Sequence, residues 1–69
     1  MKYATEKEIL EVAAKYPRIK RAQTGTLTAI TTDGDFVYLN RQLYLDSLHI
    51  LARAKKLKYN GEYTYSATN

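Results

Sequence analysis

The sequence predicts an α+β fold: a helix, a three-stranded antiparallel meander, a second helix and a short C-terminal strand, with both helices on one face of the sheet. Three observations predict it. Apolar residues recur at helical spacing in two segments, near the N-terminus and after Asn40. Between them, from Arg18 to Asn40, the composition shifts to Thr, Ile, Val and aromatic residues broken by two glycine turns. Two helices with one apolar face each also need a common surface to cover, and one face of a sheet supplies it.

The first helix is expected over about residues 5–16. Thr5 caps it and Glu8, three residues on, completes a capping box. Ile9, Val12, Ala13 and Tyr16 follow at helical spacing with Leu10 flanking, and Glu11 precedes Lys15 as a favourable pair one turn apart. Pro17 drives Tyr16 out of the helical region and ends the helix there.

Strands are expected at about 18–24, 26–32 and 36–39. Thr24-Gly25 and Asp33-Gly34, read as two-residue hairpin loops, set Ile19 opposite Ile30, Lys20 opposite Ala29, Ile30 opposite Val37 and Ala29 opposite Tyr38. Alternate residues point to opposite faces. This register gives a core face of Ile19, Ile30, Val37 and Leu39 with Thr28 and Arg21 beside them. The other face carries Arg18, Lys20, Ala22, Leu27, Ala29, Phe36 and Tyr38. A slip of one residue in either hairpin reshuffles the sorting.

The second helix is expected over about 40–58, with Asn40 as N-cap. Leu43, Tyr44, Ser47, Leu48, Ile50, Leu51, Ala54 and Leu57 form its apolar stripe, and Gln42, Asp46, His49, Arg53 and Lys56 its polar face. The basic run Arg53–Lys58 complements the dipole at its C-terminal end. Asn60-Gly61 then either caps the helix or opens another hairpin, and Glu62 to Tyr65 alternates as a strand over about 62–66, before frayed last residues.

Sixty-nine residues suit one small domain, 1–69. Without cysteine there is no disulfide framework and no thiolate chemistry. No apolar run approaches the roughly 20 residues of a membrane span, and Met1–Glu6 lacks the apolar centre of a signal peptide. The chain reads as complete and cytoplasmic.

The partner signal is charge. Eleven basic residues against seven acidic ones give +4, and eight of the eleven fall in two tracts, Lys15–Arg21 and Arg53–Lys58. Seven tyrosines suit half-exposed surfaces and interfaces. The favoured reading is a non-enzymatic nucleic-acid-binding protein. Arg18, Lys20, Arg21, Arg53, Lys55, Lys56 and Lys58 would meet phosphates, and Phe36 and Tyr38 would stack on bases. The competing reading makes Phe36, Tyr38 and Leu27 core residues, with Arg18 and Lys20 lying over them; the exposure of the two rings decides between them. Four cations in Lys15–Arg21 repel one another unless an anion, or the acidic start Glu6, Glu8 and Glu11, offsets them.

The helix–three strands–helix order resembles double-stranded RNA-binding domains in topology alone. Asn40-Arg41-Gln42-Leu43 stands where that family's basic motif would open the second helix, and Asp35–Leu39 does not match the pattern of RNA-recognition motifs.

The alternative function is a protein-binding inhibitor or adaptor, of the kind phages encode, whose basic tracts dock on an acidic or nucleic-acid-binding groove of a larger protein. Homodimerisation through the Phe36/Tyr38 face or the Arg18–Gln23 edge is a third possibility. No cofactor, metal or small-molecule substrate is indicated. His49 has Asp46 and Arg53 near it on the helix but no nucleophile. Asp33-Gly34-Asp35 lacks the further ligands of a calcium loop, and Thr24-Gly25-Thr26 is too sparse to cradle a phosphate.

Overall fold

The computed structural model describes residues 3–68. Met1, Lys2 and Asn69, which enter the readings of the N-terminal start and the frayed end, lie outside them. Two helices and a five-stranded antiparallel sheet make up the fold, which is of the α+β class. The elements are α1 (Glu6–Lys15), β1 (Arg18–Arg21), β2 (Thr26–Ile30), β3 (Phe36–Gln42), α2 (Ser47–Arg53), β4 (Leu57–Gly61) and β5 (Thr64–Ala67). The strands lie in the order β3-β2-β1-β5-β4.

Helix α1 forms as its local sequence dictates. The Thr5 amide donates to Glu8 Oε1 at 2.9 Å and the Glu8 amide donates to Thr5 Oγ1 at 3.2 Å, closing the capping box. Tyr16, before Pro17, is already extended at φ −117° and ψ 152°.

Both hairpins of the meander depart from the expected register by one residue. Ala22 pairs with Thr26 around Gln23-Thr24-Gly25, and Thr31 pairs with Asp35 around Thr32-Asp33-Gly34. Each loop therefore has three residues rather than two, and the last is a glycine at φ +88°. A two-residue type I′ turn needs positive φ at both central positions. That is costly at the β-branched Thr24, whereas the three-residue loop asks it of glycine alone.

The two slips cancel between β1 and β3 and invert β2. Ile19 pairs with Ala29 and Ala29 with Val37, so Leu27 and Ala29 face the core. Thr28 and Ile30 turn to the opposite face, beneath Phe36 and Tyr38. This corrects the expected placing of Ile30 and Thr28 with the core and of Leu27 and Ala29 away from it. Ile9 and Ala13 of α1 and Leu48 and Leu51 of α2 join Ile19, Leu27, Ala29, Leu43, Leu57 and Tyr65 in one buried cluster.

The second helix is far shorter than expected. Asn40, Arg41 and Gln42 do not start it; they extend β3. Gln42 pairs with Thr26 and bridges to Tyr3, its side-chain amide donates to Thr26 Oγ1 at 3.2 Å, and the next amide, of Leu43, donates to the Gly25 carbonyl at 2.7 Å. These tertiary bonds override the capping preference of Asn40. At the other end α2 stops after Arg53. The Lys56 amide donates to the Leu51 carbonyl and the Lys55 amide to the Ala52 carbonyl, with Lys55 left-handed at φ 65°. This is a Schellman ending built on lysine instead of glycine.

The chain then forms a hairpin, β4 and β5, where one strand over 62–66 was expected. Asn60-Gly61 takes the hairpin role of its two expected ones, placed at the end of β4 before a turn at Glu62-Tyr63. Strand β5 pairs with β1, Ile19 opposite Tyr65 and Lys20 opposite Thr64. Strand β1 is thus central, and the Arg18–Gln23 edge expected to be free for dimerisation is occupied. The added hairpin also ends the topological likeness to double-stranded RNA-binding domains.

Candidate nucleic-acid interface

The face of the sheet opposite the buried Ile19, Leu27 and Ala29 carries the candidate site. Register fixes two rows across it. Phe36, Ile30 and Arg18 lie level on β3, β2 and β1, and Tyr38, Thr28 and Lys20 form the next row. Lys58 on β4, opposite Ser66 of β5, points to the same face.

The side chains of the two rows differ by strand. Those on β2 are covered: Thr28 and Ile30 form a floor. Those on β3 stand open, with Phe36 51% and Tyr38 69% exposed. Their ring centroids are 6.4 Å apart and the rings meet edge to face at 69°. The Lys20 ammonium hangs over the Phe36 ring, 5.0 Å from its centroid, a cation–π contact. Lys20, Phe36 and Tyr38, with Ala22, Gln23, Thr24 and Thr28, line a shallow groove of about 370 Å³.

The charge here is uncompensated among the described residues. The acidic start of α1 is engaged elsewhere: Glu6 holds Lys56 at 2.7 Å and Glu8 holds Arg41 at 3.2 Å. Arg18 and Lys20 have no carboxylate partner among the described residues. The expectation that Glu6, Glu8 and Glu11 offset the Lys15–Arg21 tract is not met; Lys15 lies over the Tyr16 ring at 5.9 Å.

Five of the expected site residues therefore share one face: Arg18, Lys20, Phe36, Tyr38 and Lys58. Four do not join them. Arg21 has the parity of Ile19 and lies near Gly25 and Gln42, lining a depression with Asp46, His49 and Tyr63. Arg53 lines a cleft on the helix side with His49, Tyr59 and Tyr65. Lys55 occupies the left-handed helix ending, and Lys56 is tied to Glu6. The run Arg53–Lys58 is thus helical only at Arg53. It spans the end of α2, a turn and β4, and only Lys58 reaches the open face. The floor residues Thr28 and Ile30 were missed; the three-residue hairpin loops were the signal that would have placed them.

Compared with known proteins, the chain matches no family model, no curated protein and no solved structure.

Proposed function

We propose that this chain binds nucleic acid through the open face of its sheet, without catalysing a reaction. The observation that carries the reading is the pair of exposed rings, Phe36 and Tyr38, level with two cations that no carboxylate among the described residues neutralises. Stacking on an aromatic ring contributes about 1–3 kcal/mol per base whatever the base. Phosphate contacts to Arg18, Lys20 and Lys58 add a term that grows as salt falls. Titrating the protein with single-stranded and duplex oligonucleotides at low and moderate salt tests it. Binding at low salt that weakens on adding salt, and that is lost on Lys20→Glu, is the expected result. Absence of binding at low salt, or binding indifferent to Lys20→Glu and Tyr38→Ala, overturns it.

A second reading, docking on a larger protein, rests on a different surface. Tyr44, Leu45 and Ile50 are 56%, 64% and 60% exposed around α2. Under that reading Leu45→Ala with Ile50→Ala abolishes a stoichiometric protein complex and leaves oligonucleotide binding untouched.

A further inference from the structure

We propose that the ligand of the open face is a single strand, laid along β1 and β3 with two consecutive nucleotides in register with the two side-chain rows. This rests on the nucleic-acid reading above and specifies its substrate.

Each row is one nucleotide unit. Phe36 faces Arg18 across Ile30, and Tyr38 faces Lys20 across Thr28. The ring and the cation of a row are two strands apart, about 9.5 Å by the usual strand spacing. Successive rows repeat along the strands at about 6.7 Å, which agrees with the 6.4 Å between the two ring centroids. Bases fit over β3 and phosphates over β1, so the nucleic acid runs with the strands and not across the sheet. The covered floor of Thr28 and Ile30 offers no competing charge between them.

A duplex cannot use this arrangement. Within a duplex the base faces are occupied by neighbouring bases, so Phe36 and Tyr38 have nothing to stack on. Nor does the sheet enter a groove: its outer strands are about 19 Å apart, against a major groove about 12 Å wide. A duplex keeps only the electrostatic part of the interaction.

Lys20 links the two contacts. Its ammonium now lies on the Phe36 ring. A phosphate over β1 draws it away and frees that ring for a base, so phosphate capture and stacking occur together.

The test compares a short oligothymidylate with a blunt duplex of the same length, each titrated over a range of salt. The single strand is expected to bind more tightly, and the two phosphates over Arg18 and Lys20 contribute about −1.4 to the slope of log K against log salt. Arg18→Gln and Lys20→Gln each reduce that slope by about 0.7. Tyr38→Ala weakens single-strand binding about 5- to 150-fold without changing the slope, and Tyr38→Leu, which keeps apolar bulk, weakens it as well. The exposed position of Tyr38 keeps these variants folded, which circular dichroism checks. Duplex binding equal to or tighter than single-strand binding overturns the single-strand assignment and leaves the nucleic-acid reading standing. So does single-strand binding that Lys20→Gln weakens but Tyr38→Ala does not. Failure of both ligands to bind at low salt overturns both.

Discussion

Lys55 ends α2 in a conformation that suits glycine. At φ 65° its Cβ crowds the backbone, which costs an L-residue about 1–2 kcal/mol. What holds it there is the pair of amide bonds from Lys55 and Lys56 back to Ala52 and Leu51, at 3.0 and 2.8 Å, and the burial of Leu57 immediately after. A glycine at this position relieves the crowding but gives back about 0.5–1 kcal/mol through the freedom of the unfolded chain. Lys55→Gly is therefore expected to stabilise the fold by about 0.5–1 kcal/mol, the difference between those two effects. In urea unfolding the midpoint rises with the slope unchanged; a midpoint that falls shows the lysine to be making a contact that offsets its strain. The same residue explains why the end of α2 could not be read from the sequence. The chain's only stop signal nearby, Asn60-Gly61, lies beyond the helix, and nothing about a lysine announces a left-handed ending.

At the scale of elements, the turns of the meander were legible and the register was not. Glycine at Gly25 and Gly34 marks both turns, but whether a loop holds two residues or three depends on which residues must take positive φ, and the choice moves every side chain of the next strand to the other face. The sorting of the cations with the rings is unchanged because the two errors cancelled: Arg18 and Lys20 remain on the face of Phe36 and Tyr38, while Leu27 and Ala29 exchange faces with Thr28 and Ile30. Helix α1 was legible throughout because its start and stop are local, in Thr5, Glu8 and Pro17. The extension of β3 through Gln42 was not, since it depends on Tyr3, Gly25 and Thr26, remote in sequence. The two glycines give a contrast that tests the observed packing. Both have φ +88°, so alanine is strained at either. A Cβ on Gly34 would meet nothing within 4 Å, whereas one on Gly25 would lie 3.1 Å from Gln42 Oε1 and 3.3 Å from an Arg21 guanidinium nitrogen. Gly34→Ala is expected to destabilise by about 0.5–1 kcal/mol, the backbone strain less the freedom lost from the unfolded chain. Gly25→Ala is expected to cost more, because the Gln42 carboxamide and the Arg21 guanidinium must also shift by a few tenths of an ångström. Equal midpoints in thermal unfolding of the two variants contradict that packing.

At the scale of the whole molecule, the fold closes where β5 meets β1, and Tyr65 is the residue at that seam. It pairs with Ile19 on one side and Tyr59 on the other, packs its ring 5.2 Å from that of Tyr59, and belongs to the buried cluster shared with both helices. The surface ion pairs Lys56–Glu6 and Arg41–Glu8 tie α1 to the turn before β4 and to β3, but exposed pairs contribute little. The apolar seam therefore carries the closure, and it leaves a signature in the pH dependence. Burial pushes the Tyr65 hydroxyl above its ordinary value of 10.0, with Tyr59 and Asp46 adding to the effect. The folded state consequently holds this proton more tightly than the unfolded chain does. Below pH 10 both states are protonated at this group and it contributes no slope; as pH rises past 10.0 the unfolded chain ionises first and stability falls. Tyr65→Phe keeps the ring and removes the titrating hydroxyl. The variant is expected to lose less stability than the wild type between pH 9 and pH 11, about the ordinary tyrosine value. Urea midpoints at several pH values measure this. Parallel curves for the two proteins would mean that Tyr65 ionises as readily folded as unfolded, and that the seam between β1 and β5 opens to water.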